Sequence, residues 1–375
     1  MIPKSVFEET VLQFFAPIRA YLDDPSVSEV MINGPHQIYV ERKGLLELTE
    51  AKFGSREALM AALRNLSQYV GKHLSEDRPV LEARFPDGSR VEALIPPIAP
   101  EGPHVAIRRF FKETLTVERL IDFGAMTPVA AQSLRAFVVA KTNLLIAGGT
   151  GSGKTSMLNA LSGYIPDGER VVVIEDSREI QFQKPHVVQL EARPPDPKGH
   201  GGVSIRDLFR ATLRMRPDRV IVGEIRGGEA LDIVQAMTSG HGGCMGTLHA
   251  THPRDTLTRL ETMCMMSDVD MPLAAMRSQI GSGVQIILQV SRLQDGSRKV
   301  THISEVTGFD LAAQKYGTQD IFIRDYKGFD EKQRVISDLV PTGILPQCMH
   351  QLEEHGVNLP DAVLERARYP QQGAP

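Results

Sequence analysis

The chain has 375 residues, of which 42% are hydrophobic and 23% charged; this composition excludes wholesale disorder, and the length points to two domains. A formal net charge of -4 gives no global reason to expect nucleic-acid binding, and the separated Cys244, Cys264 and Cys348 suggest neither a disulfide framework nor a thiolate zinc site. No run of about 18 apolar residues occurs and the opening residues lack the apolar core of a secretory signal. A reducing cytoplasm is therefore the simplest compartment, with any membrane met through a partner.

The first segment, 1–111, reads as a mixed α/β domain. Residues 29–33 and 37–42 look like short strands around Gly34-Pro35, and Lys43-Gly44 turns the chain into 45–48. Ser55 can cap a helix whose apolar residues Leu59, Leu63, Leu66 and Val70 recur at three- and four-residue spacing. Residues 84–94 read as two strands around an Asp87-Gly88 turn, and 105–110 as another strand. The charged stretch Lys112-Glu113-Thr114 opens a linker expected over 112–126.

From Thr127 helices alternate with short apolar strands, the signature of a parallel sheet with crossover helices, expected over 127–310. Thr127-Pro128 is an N-cap followed by proline at the first helical position. The apolar run 143–147 feeds Gly148-Gly149-Thr150-Gly151-Ser152-Gly153-Lys154-Thr155, and Ser156 continues into a helical pattern. Strand, glycine-rich turn and helix together are the context of a phosphate-binding P-loop. Glycines let successive N–H groups point inward at an anion, and the helix N-terminus adds positive charge. Lys154 can reach β- and γ-phosphates, and the Thr155 hydroxyl can hold Mg²⁺. A chance match in a chain this long arises about 1 time in 100. The expected binding set is Gly149, Thr150, Gly151, Ser152, Gly153, Lys154, Thr155 and Ser156, with ATP and Mg²⁺ as its ligands.

Strands are expected at 170–174, 187–190 and 219–222, with helices at 204–216 and 229–237. The first of those helices opens with a capping box, Ser204 and Asp207. A metal-nucleotide site needs carboxylates at the ends of neighbouring strands. Glu175, Asp176 and Glu179 follow one strand; Gly223-Glu224 follows another, with glycine where a Walker B aspartate usually stands. An isolated carboxylate is more often a cap or a surface group, but paired strand-end acids in a chain with a P-loop favour catalysis.

Glycines 240, 242, 243 and 246 lead to Leu248-His249-Ala250, and His249 reads as a sensor of the γ-phosphate. With His241 and His252 it also admits a metal-cluster reading, which no cysteine supports. Arg206, Arg210, Arg214, Arg216 and Arg219 crowd one stretch; most read as solvated, and any that crossed a subunit boundary would act as an arginine finger. Beyond Asp310 the pattern weakens into short Gly- and Pro-punctuated segments, ending in a proline-rich tail at 369–375, so 311–375 is an extension whose role stays open.

These blocks, in this order, resemble the secretion ATPase superfamily of type II and type IV secretion and type IV pilus systems. The resemblance is carried by the P-loop, the acidic box at 174–179, the Val222-Gly223-Glu224-Ile225-Arg226 segment and the histidine box at 240–250. Stretches 24–35, 84–90, 213–232 and 251–263 look like the tight-adherence (Flp/Tad) pilus assembly branch, with the likeness running over roughly 12–310. The resemblance implies a RecA-like ATPase domain behind the N-terminal domain, a homohexameric ring, and an inner-membrane platform protein as partner. It also implies a position at the cytoplasmic face of a bacterial inner membrane, reached through partners only. By position, Glu179 would polarise the attacking water, Glu224 would support Mg²⁺ and water, and His249 would sense the γ-phosphate. Thr155, Glu224 and Glu175 would surround the metal. Arg90 and Arg108 match the family's phosphate-contacting arginines of the first domain, with Arg84 close to Arg90 in sequence. The leading expectation is thus an ATP-hydrolysing motor for Tad-type pilus assembly, with a conjugative or type IV secretion ATPase as the alternative. A nucleic-acid translocase is disfavoured by the acidic charge and the absence of Trp, and intact Lys154, Glu179 and Glu224 argue against a silent scaffold.

Overall fold

The computed structural model describes residues 4–42, 44–110, 115–182, 184–196 and 199–368. Lys43, the Lys112-Glu113-Thr114 linker stretch and the tail 369–375 lie outside the described residues. The chain forms two compact units, Met1–Glu113 and Thr114–Pro375.

The first unit runs α1 (Lys4–Phe14), α2 (Arg19–Asp23), β1 (Val27–Asn33), β2 (Gln37–Arg42), β3 (Leu45–Leu48), α3 (Arg56–Tyr69), β4 (Val80–Arg84), β5 (Arg90–Leu94) and β6 (His104–Arg108). Its strands make a six-stranded antiparallel sheet in the order β3-β2-β1-β6-β5-β4. Alternate residues Val30, Ile32, Ile38, Val40, Val91, Ala93, Val105 and Ile107 are buried with Leu59, Leu63 and Leu66 of α3. That period of two turns one face of the sheet to the core and the other outward. The Ser55 hydroxyl accepts the Ala58 N–H, capping α3 as its sequence suggests. On the outward face Arg84 stands opposite Arg90, Arg90 opposite Arg108, and Arg108 opposite Glu29. Arg108 Nε lies 3.7 Å from Glu29 Oε1.

The second unit begins with α4 (Val117–Asp122), inside the stretch read as linker, and α5 (Pro128–Val139), capped by Thr127. Then follow β7 (Leu144–Gly148), α6 (Lys154–Ser162), β8 (Val171–Glu175), β9 (Val187–Glu191), α7 (Ile205–Thr212), β10 (Arg219–Val222), α8 (Glu229–Thr238) and β11 (Met245–Leu248). The chain continues through α9 (Pro253–Cys264), α10 (Leu273–Gly283), β12 (Ile286–Arg292), β13 (Arg298–Asp310), β14 (Lys315–Phe329), β15 (Val335–Pro341), α11 (Met349–Glu354) and α12 (Asp361–Arg368).

These strands form one nine-stranded sheet, β15-β14-β13-β12-β7-β11-β10-β8-β9. From β12 to β9 neighbours are parallel; β13, β14 and β15 extend the sheet antiparallel. Residues of β7 and β8 are buried on both faces, which is why they read as unbroken apolar runs. Leu158 and Leu161 of α6 and Leu134 and Phe137 of α5 pack on one face; Phe209, Leu231, Leu257 and Ile280 pack on the other. At the lower end of β7, Asn143 donates to the Met237 and Gly283 carbonyls at 3.3 and 2.8 Å and accepts the Cys244 N–H.

Two departures from the sequence reading have local causes. The helix expected over 204–216 ends at Thr212: the next N–H groups, of Arg214 and Met215, bond three residues back to Ala211 and Thr212, and Arg216, just before Pro217, takes a positive φ of 53°. Its capping box, Ser204 with Asp207, is present. The segment from 311 onward, read as an extension of open role, supplies β14 and β15 of the main sheet, and Leu352, Leu359 and Val363 join its core. Irregular pairing at Ile303/Ser304, Val306/Gly308 and Tyr326/Gly328 shifts the in-out alternation, so a long strand reads as fragments. Among the described residues no helix is long and apolar enough to cross a membrane.

Candidate nucleotide site

The carboxyl ends of β7, β11, β10 and β8 bring together most of the expected residues. β7 is the strand before the glycine-rich loop, and α6 begins at Lys154 behind it. Gly148 must be glycine, since a Cβ there would stand 2.4 Å from the Val290 carbonyl oxygen and 2.5 Å from Ser152 Oγ. Gly151 and Gly153 take φ values of 69° and 92°, the left-handed region that turns backbone N–H groups inward. Ser152 Oγ donates to the Gly149 carbonyl at 2.8 Å and is buried, whereas Ser156 is exposed one turn into α6. Thr155 lies half-buried in that first turn. The loop therefore has the backbone of an anion cradle, and its residue set fits a phosphate chain.

Lys154 is buried, and Nζ donates to the Gly148 and Gly149 carbonyls, both at 3.1 Å. The same Nζ lies 3.4 and 3.3 Å from the two ring nitrogens of His249. His249 follows β11, whose Leu248 pairs with Ala147 of β7, so the ring is carried to the level of the loop. His249 Nε2 in turn lies 2.8 Å from Glu224 Oε1. That separation places the ring directly beside the carboxylate. Arg226 Nη2 donates to Glu224 Oε2 at 2.5 Å, and Nη1 to Asp176 Oδ2 at 3.4 Å. Lys154, His249, Glu224 and Arg226 thus make a continuous relay along the strand ends.

Electrostatics follow from that relay. Burial and the neighbouring Lys154 ammonium push the His249 imidazole below its ordinary range, outweighing the pull of Glu224. Burial alone would raise the Glu224 carboxyl, but Arg226, His249 and Lys154 hold it below the usual value. The site thus favours a neutral imidazole beside an ionised carboxylate.

Glu175, expected beside the metal, is held by backbone groups in this structure. It is only 3% exposed, and its Oε1 accepts the backbone N–H groups of Glu179 and Ile180, both at 2.9 Å. Burial pushes its carboxyl up to about 7, against those two bonds. Its committed oxygen anchors the backbone that presents Glu179, whose side chain is half-buried. Gly223 explains the missing Walker B aspartate: a Cβ at 223 would stand 2.8 Å from Glu175 Cγ. Thr247 Oγ1 locks the same turn by donating to the Gly223 carbonyl at 2.6 Å.

Other candidates fall elsewhere. His241 precedes β11 at the opposite edge of the sheet from His249, and its Nδ1 is buried with no hydrogen-bond partner among the described residues. No group of three or more metal-ligating side chains occurs among the described residues. Arg219 is fully buried and pairs with Glu169, and Arg206 and Arg210 pair with Asp232, leaving Arg214 and Arg216 exposed. Arg90 and Arg108 are cross-strand partners within the first unit. Sequence reasoning missed two residues at the loop itself. Arg292 ends β12 and Arg298 opens β13, and Arg298 Nε donates to the Gly151 carbonyl at 2.8 Å. The signal was an apolar strand and an Asp295-Gly296 turn bracketed by arginines.

Residues 12–355 match the family described as type II/IV secretion system protein, so the match runs past the limit of about 310 read from the motifs. Conjugal transfer protein TrbB of Rhizobium radiobacter is 31% identical over 77% of this chain and 86% of its own length. Type IV secretion system protein PtlH of Bordetella pertussis is 32% identical over 76% of this chain and 92% of its own length. The pilus retraction motor PilT, solved with ADP, is 19% identical with a TM-score of 0.56, covering 81% of this chain and 84% of PilT. At that identity the likeness concerns the fold, a RecA-like domain of the same plan.

Proposed function

The chain belongs to the type II/IV secretion system protein family, and we propose that it is an ATP-hydrolysing motor of the conjugative or type IV secretion line. The names of the relatives support that line over the tight-adherence pilus reading suggested by the motifs. The observation carrying the proposal is the contact chain from Lys154 through His249 to Glu224 beside a glycine cradle.

In this reading Lys154, held on two loop carbonyls, exchanges them for the β- and γ-phosphates of ATP. Neutral His249 stands where a γ-phosphate would arrive and reports its presence to Glu224. Glu179 orients the attacking water, with Glu175 fixing the backbone that carries it. Thr155 and Glu224 would hold Mg²⁺, which supplies neutralisation of phosphate charge. Arg90 and Arg108 are proposed as further phosphate contacts. The working form is a homohexamer at the inner face of the bacterial inner membrane, passing conformational change to a platform protein.

Phosphate release by the purified chain tests the core of this. The unsubstituted protein should hydrolyse ATP, and Lys154→Ala should lower turnover by at least about a hundredfold. Normal turnover by the variant would remove the assignment.

A further inference from the structure

Arg292 and Arg298 face each other across the β12–β13 ladder, and both lie against the glycine loop. Arg298 Nε donates to the Gly151 carbonyl at 2.8 Å. A Cβ on Gly153 would stand 3.3 Å from Arg298 Cδ, and one on Gly151 would stand 3.6 Å from Arg292 Nη1. With no side chains on those positive-φ glycines, the arginines reach the loop backbone directly.

The planar guanidinium fork matches phosphate oxygens, so a phosphate chain seated on the loop comes within reach of both side chains. Strand order selects which phosphate. β11 and β10, carrying His249 and Glu224, lie on one side of β7; β12 and β13 lie on the other. A triphosphate with its γ-phosphate towards His249 therefore presents its α-phosphate end to the arginine pair.

From this juxtaposition we infer that Arg292 and Arg298 bind the α-phosphate of a nucleoside di- or triphosphate held in the loop. The inference rests on the nucleotide-site reading above and adds the groups that hold the nucleoside end.

Isothermal titration calorimetry on the full chain, with ADP and inorganic pyrophosphate titrated separately, tests it. Arg292→Ala and Arg298→Ala should each weaken ADP about tenfold, the loss of one charge-assisted contact. Pyrophosphate, which fills only the two positions beneath Lys154, should keep its affinity to within about twofold. Arg298→Lys, which retains charge without the fork, should recover part of the ADP affinity, and it serves if the alanine variant does not fold. Unchanged ADP binding by the variants overturns the inference while leaving the nucleotide site standing. Equal weakening of ADP and pyrophosphate also overturns it, because the arginines would then only shape the loop. Failure of the unsubstituted chain to bind ADP overturns the nucleotide-site reading, and this inference with it.

Discussion

Gly223 lies so close beneath Glu175 that a methyl group on it would stand 2.8 Å from Glu175 Cγ. Gly223→Ala should therefore push the two strand ends apart, costing about 1–3 kcal/mol of stability and disturbing both Glu175 and Glu224. Urea unfolding combined with ATP turnover reads both effects. A variant with unaltered midpoint and unaltered turnover would show that the close approach has no consequence.

Glu175 also predicts a pH dependence. Its carboxyl is raised from an ordinary 4.5 to about 7 in the folded chain. Between those values the native state holds the proton more tightly than the unfolded state, so this residue's contribution to stability falls as pH rises. Glu175→Gln keeps an acceptor for the Glu179 and Ile180 N–H groups and removes the titration. At pH 8 the variant should be more stable than the parent by on the order of 2–3 kcal/mol, with little difference near pH 4.5. Denaturation at several pH values decides; a difference that grows towards acid pH would contradict the assigned sign.

His249 predicts the acid limb of activity. Burial and Lys154 hold its imidazole below the ordinary 6.5, so the neutral ring dominates at pH 7. The decline of turnover caused by protonation of His249 should have its midpoint below pH 6.5. His249→Ala should lower turnover by about a hundredfold while ADP binding stays within a few-fold. A rate that rises as pH falls through this range would mean that the charged ring is the active form.

Asn143 anchors the lower end of β7 through three buried backbone groups. Asn143→Ala strands those groups without partners and should cost about 2–4 kcal/mol. Thermal unfolding would register the change, and ADP affinity of the folded fraction should be nearly unaltered. An unchanged melting temperature would show that water or backbone movement replaces the side chain.

Much of this site was legible because its chemistry sits on short segments at strand ends. The glycine loop and Glu224 each follow an apolar strand and His249 a glycine-rich turn, and parallel order brings all three to one edge. The role of Glu175 was not legible, because only packing reveals that it is buried and holds Glu179. His241 and His249 look equivalent in sequence, yet β11 separates them to opposite edges of the sheet. Arg292 and Arg298 were hidden for another reason: the hairpin that brings them to Gly151 lies more than a hundred residues downstream of the loop. β14 was obscured by irregular pairing, which breaks the alternation that identifies a strand.

The loop-bearing strand β7 is the fifth of nine in its sheet. Four strands brace it on either flank; the site reaches from this midline to the acidic end of β8, one strand in from the β9 rim, and leaves β14 and β15 outside it. Lengthening β15 or grafting a hairpin beside it acts on a margin that carries none of these side chains, whereas β9 pairs with β8 as far as Glu175 and supports the site directly. Such a plan separates an engine from its fittings: the β15 margin can be retooled for different machinery while the loop-bearing strands keep their geometry.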